Sequence, residues 1–407
     1  MRVLLLTQWF DPEPTFKGLV FARELVRQGF EVEVLTGFPN YPGGKVYSGY
    51  KIKLLQREFI DGVYVTRVPL YPSHSQSSTK RILNYISFAA SALFYGLFMA
   101  KRANVIYAYH PPITVGISAV LMRMLCRIPV VLDIQDMWPD TLRATGMVTS
   151  SKTLERVAYI CNWIYRHVDK IVVLSPGFKS LLLDRGVQED KVNVIYNWAD
   201  EKSLISSKIG LPVTYPTSDR FRILYAGNMG KAQALDALLD AAEILQARGS
   251  QVYFVMVGGG VELNRLQMRA SLLQLSNIIF FPPVPMMEIG VFLHAADALI
   301  IHLRKDPLFK ITIPSKTQAY MFVGKPLLMA VEGDAADLVV NSGGGVVAEP
   351  ESVESLVEAA EVLQNMSSKD RQIMGGRARA YYQDYLALAI GVRKFGNIFN
   401  DIGKNEF

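Results

Sequence analysis

The pattern that most narrows what this chain can become is a recurrence in its second half. Phe221–Gly227 (FRILYAG), Val252–Gly260 (VYFVMVGGG) and Thr312–Pro326 (TIPSKTQAYMFVGKP) follow one another at the pace of a nucleotide-binding α/β domain. The first half keeps the same rhythm, with strand-like runs at Arg2–Thr7, Glu31–Thr36, Val63–Val68, Val105–Tyr109, Val130–Ile134, Ile171–Leu174 and Val192–Tyr196. Short β-branched runs alternating with helical stretches predict parallel sheets covered by helices. The expectation is an α/β chain of two Rossmann-like, doubly wound domains facing a central cleft, with ligands beyond the carboxyl ends of the strands.

A length of 407 residues, half of them hydrophobic, is too much for one core and suits two. The polar, Pro- and Ser-containing stretch 201–220 interrupts the alternation and is the expected linker between a domain over 1–200 and one over 221–385. A net charge of +6 suits nucleic acid, an anionic membrane surface or a phosphorylated substrate, and does not choose among them. Cys126 and Cys161 lack the spacing of a disulfide framework or a zinc site, which points to a reducing cytoplasm. Met1–Phe10 reads as a first strand and not as a signal peptide.

Ile82–Ala100 carries no charge, approaches the length of a membrane span and is bracketed by Lys80-Arg81 and Lys101-Arg102. Strands on both sides of it look like members of one sheet, which argues against spanning. Two readings stay open: a buried helix, or a helix resting in the interface of an anionic leaflet.

Three turns in the second half suit an anion. Gly227-Asn228-Met229-Gly230-Lys231 joins a strand to a helix, so backbone N–H groups at Asn228 and Gly230, with Lys231, are candidate phosphate contacts. Gly258 and Gly259 repeat the arrangement without the ending of a P-loop or a full dinucleotide fingerprint. Thr312, Ile313, Pro314, Ser315 and Lys316 precede the helix expected at Thr317–Val323; a lysine at a helix start opposes the helix dipole and makes sense beside a bound anion. In the first half, Lys17 and Gly18 are candidate phosphate contacts. Gln135, Asp136, Trp138 and Asp140 follow a strand, where carboxylates suit proton transfer or sugar hydroxyls, or simply cap the next helix. His110 ends a strand and is read either as structural or as lining the cleft.

The order of GFPNYPGGKV (Gly37–Val46), DIQDMWPDTLRATGMV (Asp133–Val148), LSPGF (Leu174–Phe178), VIYNWAD (Val194–Asp200), GNMGKAQAL (Gly227–Leu235), VGGGVE (Val257–Glu262) and TIPSKTQAYMFVGKP resembles the retaining glycosyltransferases of family 4 over nearly the whole chain. Within them it looks most like the bacterial surface-polysaccharide branch that includes N-acetyl-L-fucosamine transferases. The resemblance implies a GT-B fold, a nucleotide-sugar held by the second domain, an acceptor held by the first, and a final segment, 386–407, crossing back to the first domain. It implies transfer with retention, no divalent metal and no cofactor besides a nucleotide-sugar co-substrate, UDP-linked in this branch.

Carried over position by position, Gly18 matches a glycine beside the diphosphate, and Pro283, Val284 and Pro285 match the segment that reads the base. Gln135 and Asp136 stand where many relatives have a histidine, Asn228 and Gln233 stand at the usual Arg and Lys, and Ile311 and Ala319 stand near the usual paired glutamates. That leaves Asp136, Gln135, Lys316 and Lys231 as the expected catalytic groups and His110, Trp138 and Asp140 as acceptor contacts. The expected partners are a nucleotide-sugar, a lipid-linked saccharide and an anionic membrane surface, with no nucleic acid. The expected place is the cytoplasm, peripheral on the inner face of the membrane. Two other readings fit the same architecture: a UDP-sugar 2-epimerase, and a catalytically silent nucleotide-sugar-binding scaffold.

Overall fold

The central aliphatic runs of each half become strands that are buried on both faces, which suits a parallel sheet flanked by helices. The computed structural model of the chain describes residues 1–73, 78–144, 146–205, 210–216 and 219–404. It divides into two units, one of Met1–Tyr196 together with the segment from Leu388 onward, the other of Asn197–Ala387. Of the expected linker 201–220, Glu201–Ile205 is instead a short helix of the second unit; His294 Nε2 meets the Leu204 carbonyl at 3.1 Å. Residues 206–209 and 217–218 of that linker, and 405–407 of the final segment, lie outside the described residues.

The first unit is built on β1 (Arg2–Leu6), β2 (Glu31–Gly37), β3 (Gln56–Ile60), β4 (Val63–Val68), β5 (Val105–His110), β6 (Val130–Ile134), β7 (Lys170–Val173) and β8 (Val192–Val194). These eight strands lie in the order β3-β4-β2-β1-β5-β6-β7-β8. All neighbours are parallel except β3, which forms an antiparallel edge on β4. Val3 sits opposite Val32 on one side and Val105 on the other, so β1 is central and its side chains Val3 to Leu6 are buried. The last helix, Leu388–Lys404, packs on this sheet: Phe395 meets Phe21 and Tyr107 with centroids 5.2 and 5.5 Å apart, and Phe399 meets Phe30 at 6.0 Å.

The helix Ser78–Ala100 crosses from β4 to β5. Asn84, Phe88, Ala92, Met99 and Ala100 are buried, while Ile82, Leu83, Ile86, Phe94 and Phe98 are exposed. It is thus neither a wholly buried helix nor one free of the sheet. It is the one helix among the described residues long and apolar enough to cross a membrane, and 28% of its most apolar stretch is buried.

The second unit carries β9 (Phe221–Ala226), β10 (Val252–Val257), β11 (Ile278–Phe281), β12 (Ala298–His302), β13 (Leu327–Ala330) and β14 (Gly345–Val347). They form one parallel sheet in the order β11-β10-β9-β12-β13-β14. Among the parallel strands of each sheet the order reverses once, beside β1 in the first and beside β9 in the second. Ligands gather at that reversal, beyond the carboxyl ends of the strands.

Two adjacent glycines in the helix Ser368–Tyr381 test the packing of the second unit. A Cβ on Gly375 would stand 2.1 Å from the Gly324 carbonyl oxygen, whereas one on Gly376 meets nothing within 4 Å. Gly376→Ala is expected to stabilise by about 0.5–1 kcal/mol through helix propensity. Gly375→Ala is expected to destabilise by about 2 kcal/mol through overpacking. Denaturant midpoints of the two variants check the contrast.

Candidate functional site

In the second unit, the loops after β9 and β10 are laced together backbone to backbone. Gly227 N–H donates to the Val257 carbonyl at 2.8 Å, Met229 N–H to Gly259 at 2.7 Å and Glu262 N–H to Met229 at 3.0 Å. Gly258, at φ +143°, has the Gly227 carbonyl oxygen 2.0 Å from where a Cβ would sit, so only glycine fits there. Gly259 lies against Pro283, of the loop after β11, with the next residue Val284 half-buried and Pro285 leading into the helix Met286–Ala295. Gln233 fixes the first of these loops, its side-chain oxygen accepting from Gly230 N–H at 3.0 Å and from Asn228 at 3.4 Å. Lys231 is exposed at the start of the 3-10 turn Lys231–Gln233.

Lys316 lies in the first turn of the helix Ser315–Val323, which begins two residues earlier than the sequence suggests and has no acidic residue in that turn. Pro314 is its N-cap, Ser315 is exposed, Ile313 is buried and the Thr312 hydroxyl donates to the Leu308 carbonyl at 2.7 Å. The Lys316 ammonium stands 3.6 Å from the centroid of the Tyr225 ring, and its Cε is 2.9 Å from where a Gly227 Cβ would sit. No carboxylate pairs with it among the described residues. Burial pushes its pKa down to about 7. An ammonium without a counter-ion, at a helix start between glycine-rich turns, is a receptor for a diphosphate.

The first unit gathers a different set. The Lys17 ammonium is fully buried and paired with Asp133 at the end of β6. Asp133 also accepts from the Tyr107 hydroxyl and from Gln135 Nε2, each at 2.5 Å. Burial lowers the pKa of Lys17 while Asp133 opposes the shift. The reading of Lys17 as a phosphate contact is therefore corrected: the buried carboxylate holds the ammonium inside the unit. Gly18 has a local reason as well, since the Asp11 carboxylate, accepting from Leu19 N–H at 2.6 Å, occupies the place of its missing Cβ.

Asp136 and its neighbours divide. Asp140 opens the helix Asp140–Ala144 and is paired with Arg185, which also donates to the Trp138 carbonyl at 3.2 Å. It serves the fold first. Among the described residues no group donates to the Asp136 carboxylate, and burial raises its pKa. His110 is buried with neither ring nitrogen partnered, its ring edge-on to Trp138 at 5.5 Å; burial pushes its pKa down to about 3, so the ring is neutral.

Sequence reasoning missed Tyr225, whose place in FRILYAG two residues before the turn at Gly227 was the available signal. It also missed Glu13, which accepts from the backbone N–H groups of Phe10, Asn40 and Tyr41 at 3.2, 2.7 and 2.7 Å. Burial outweighs those bonds and raises its pKa to about 7. No group of three or more His, Cys, Asp or Glu gathers as a metal site among the described residues.

Residues 19–198 match the family model of the glycosyl transferase 4-like domain, and residues 214–381 that of glycosyl transferases group 1. The chain belongs to the group 1 glycosyltransferases and has the GT-B fold. It is 28% identical over 386 residues to WcaI of Escherichia coli K12, a glycosyl transferase assigned to colanic acid biosynthesis, covering 88% of this chain and 90% of that protein. Among solved structures it resembles Alr3699/HepE of Anabaena in complex with UDP and glucose, at TM-score 0.68 and 15% identity, over 98% of this chain and 100% of that one. It also resembles the sucrose-phosphate synthase of Thermosynechococcus elongatus, at TM-score 0.73 and 15% identity over the whole of both chains. At such identities these two likenesses speak to the fold.

Two predictions separate the cations. Lys17→Met is expected to cost about 3–5 kcal/mol of stability without any ligand, because Asp133 would stay buried and uncompensated. Unchanged stability with weakened nucleotide binding would return Lys17 to the phosphate. Lys316 is expected to take up a proton when a diphosphate binds. UDP affinity then falls above pH 7, by at most tenfold per pH unit, where the terminal phosphate is already ionised. Lys316→Arg, charged throughout, flattens that profile in calorimetric titrations.

Proposed function

We propose that the chain transfers a sugar, with retention and without a metal ion, from a UDP-linked donor bound by the second unit to a polyprenyl-diphosphate-linked saccharide bound by the first. The product is a piece of surface polysaccharide such as O-antigen or capsule, and the sugar is N-acetyl-L-fucosamine or a related deoxyhexose. The observation that carries this reading is Lys316, an ammonium with no counter-ion among the described residues, at the mouth of the Gly227 and Gly258 turns.

The chemistry follows from where charge develops. As the anomeric C–O bond to the diphosphate breaks, Lys316, the N-terminus of its helix and Lys231 receive the negative charge that appears on the leaving group. An acceptor hydroxyl attacks the same face, its oxygen bonds to the anomeric carbon, and its proton passes to the departing phosphate oxygen. Asp136, short of donors, orients that hydroxyl, with Gln135 and Trp138 beside it. The resemblance to WcaI supports the polysaccharide setting.

The chain works at the inner face of the cytoplasmic membrane as a peripheral protein. From Gly62 to Leu132 it has no aspartate or glutamate. Within that stretch the exposed Ile82, Leu83, Ile86, Phe94 and Phe98 lie between Lys80-Arg81 and Lys101-Arg102. A surface helix of a protein surrounded by water puts polar residues outward; this one puts apolar residues outward between cations, the composition of an interfacial helix on anionic lipid.

Purified protein, UDP-N-acetyl-L-fucosamine and an undecaprenyl-diphosphate-linked monosaccharide in phosphatidylglycerol-rich vesicles form the test. The expected result is an acceptor-dependent product with the donor's anomeric configuration, reduced about a hundredfold or more in Lys316→Ala. The protein is expected to sediment with the vesicles at low salt and to stay in solution as Phe94→Asp/Phe98→Asp. Donor epimerisation without acceptor, or UDP binding without turnover of any UDP-sugar, would overturn the transfer reading.

A further inference from the structure

Five segments of the first unit bring aromatic rings to the carboxyl end of its sheet. Trp9 follows β1 and Tyr41 follows β2, and their rings stack with centroids 4.6 Å apart and planes 29° from parallel. Tyr85 comes from the helix Ser78–Ala100, its carbonyl accepting from the Thr114 hydroxyl at 3.4 Å just after β5. It stands close enough to Tyr41 and Asp136 for both to raise the pKa of its phenol, after burial and against the pull of Arg81. Trp138 and His110 complete the set from β6 and β5. Trp9, Tyr41, Tyr85 and Trp138 are all half-buried.

The polar groups among these rings are short of partners. The half-buried Asp136 carboxylate receives no donor among the described residues, while His110, 1% exposed, has both ring nitrogens and Gln8 its buried Oε1 without a partner among those residues. Gln8 Nε2 is occupied, donating to Asn84 at 2.5 Å on the same helix as Tyr85. Buried polar groups in folded chains are almost always satisfied, so a cluster of orphans marks a place where a ligand completes the bonding. Acceptor atoms dominate this cluster, and it calls for a ligand that donates.

A pyranose ring has one face of C–H bonds and a rim of hydroxyls that donate. It fits half-exposed aromatic rings edged by unpaired acceptors better than a phosphate, which cannot donate, or an alkyl chain, which leaves the orphans unmet. We propose that Trp9, Tyr41 and Tyr85 form the wall on which the terminal sugar of the acceptor stacks, that Asp136 and His110 take its hydroxyls, and that Tyr85 sets which sugar is accepted. Ile82 and Ile86 flank Tyr85 on the exposed side of the helix, so the turns that meet the sugar also meet the apolar chain that follows it. The inference rests on a saccharide acceptor and not on the identity of the donor.

The test uses the full chain and three probes, octyl glucopyranoside, octyl N-acetylglucosaminide and octyl fucopyranoside, with an octyl polyethylene glycol ether as the sugarless control. Binding is read from tryptophan fluorescence below the micellar concentration. At least one glycoside is expected to bind saturably and the ether not. Tyr85→Leu and Trp9→Leu are expected to weaken it about tenfold. Tyr85→Phe should restore affinity, and Tyr85→Leu should change the rank order of the three sugars. Cooperative melting of each variant guards against misfolding, and if Trp9→Leu fails to fold the two Tyr85 variants decide. Equal binding of glycosides and ether, or wild-type affinity and ranking in Tyr85→Leu, overturns the proposal. A melting shift with UDP on the same samples reports the donor side, so loss of the wall and loss of the transferase reading leave different records.

Discussion

The buried pair of Lys17 and Asp133 is the interaction on which the first unit turns. Removing an ammonium and a carboxylate from water costs several kcal/mol each, and their attraction offsets this only when other hydrogen bonds complete the group. Here Tyr107 and Gln135 do so, one from β5 and one from the loop after β6. Phe395 covers the ammonium from the last helix, 4.8 Å from its ring centroid to Nζ. One charge pair therefore sets the loop after β1, the end of β6 and the docking of the final helix together. Gln135, expected to act on substrate, is first of all part of this arrangement.

The second unit solves the opposite problem. Its glycines let two loops approach backbone to backbone, and Lys316 lies against them with no carboxylate paired to it among the described residues. The ring of Tyr225 offers the ammonium a π-face, worth about 2 kcal/mol when desolvated, less than a full counter-ion. The charge state of this lysine is thus set by burial and left for a ligand to restore. His302, buried between the Gln233 carbonyl at 2.7 Å and Glu351 N–H at 3.2 Å, holds the 3-10 turn against β12, so Lys231 is presented on a fixed piece of backbone.

Much of this was legible in the sequence because it is local. The strand runs, the glycine turns after β9 and β10, and the lysine at a helix start are all written within a few residues of one another. What escaped is what depends on tertiary pairing. Lys17 after a strand reads as a phosphate contact, and nothing near it announces a carboxylate at position 133. Trp9, Tyr41 and Tyr85 lie on three segments, each ordinary alone, and become a set only when β1 and β2 end, and the helix after β4 begins, at one level. The helix Ser78–Ala100 shows its apolar character in sequence, but not that Asn84, Phe88 and Ala92 face the sheet while Ile86 and Phe94 do not.

The return of the chain to the first unit also sets an order of assembly on the ribosome. The second unit lies wholly between Asn197 and Ala387, so every residue of its core has been synthesised before the helix Leu388–Lys404 appears. The first unit begins earlier and is completed later. Until Phe395 and Phe399 emerge, Phe21, Phe30 and Tyr107 lack their covering rings and Lys17 lacks one wall of its burial. The nascent first unit thus spends the synthesis of an entire second unit with an apolar face and a half-sheltered charge pair open, and the turns that close it are made only after that unit.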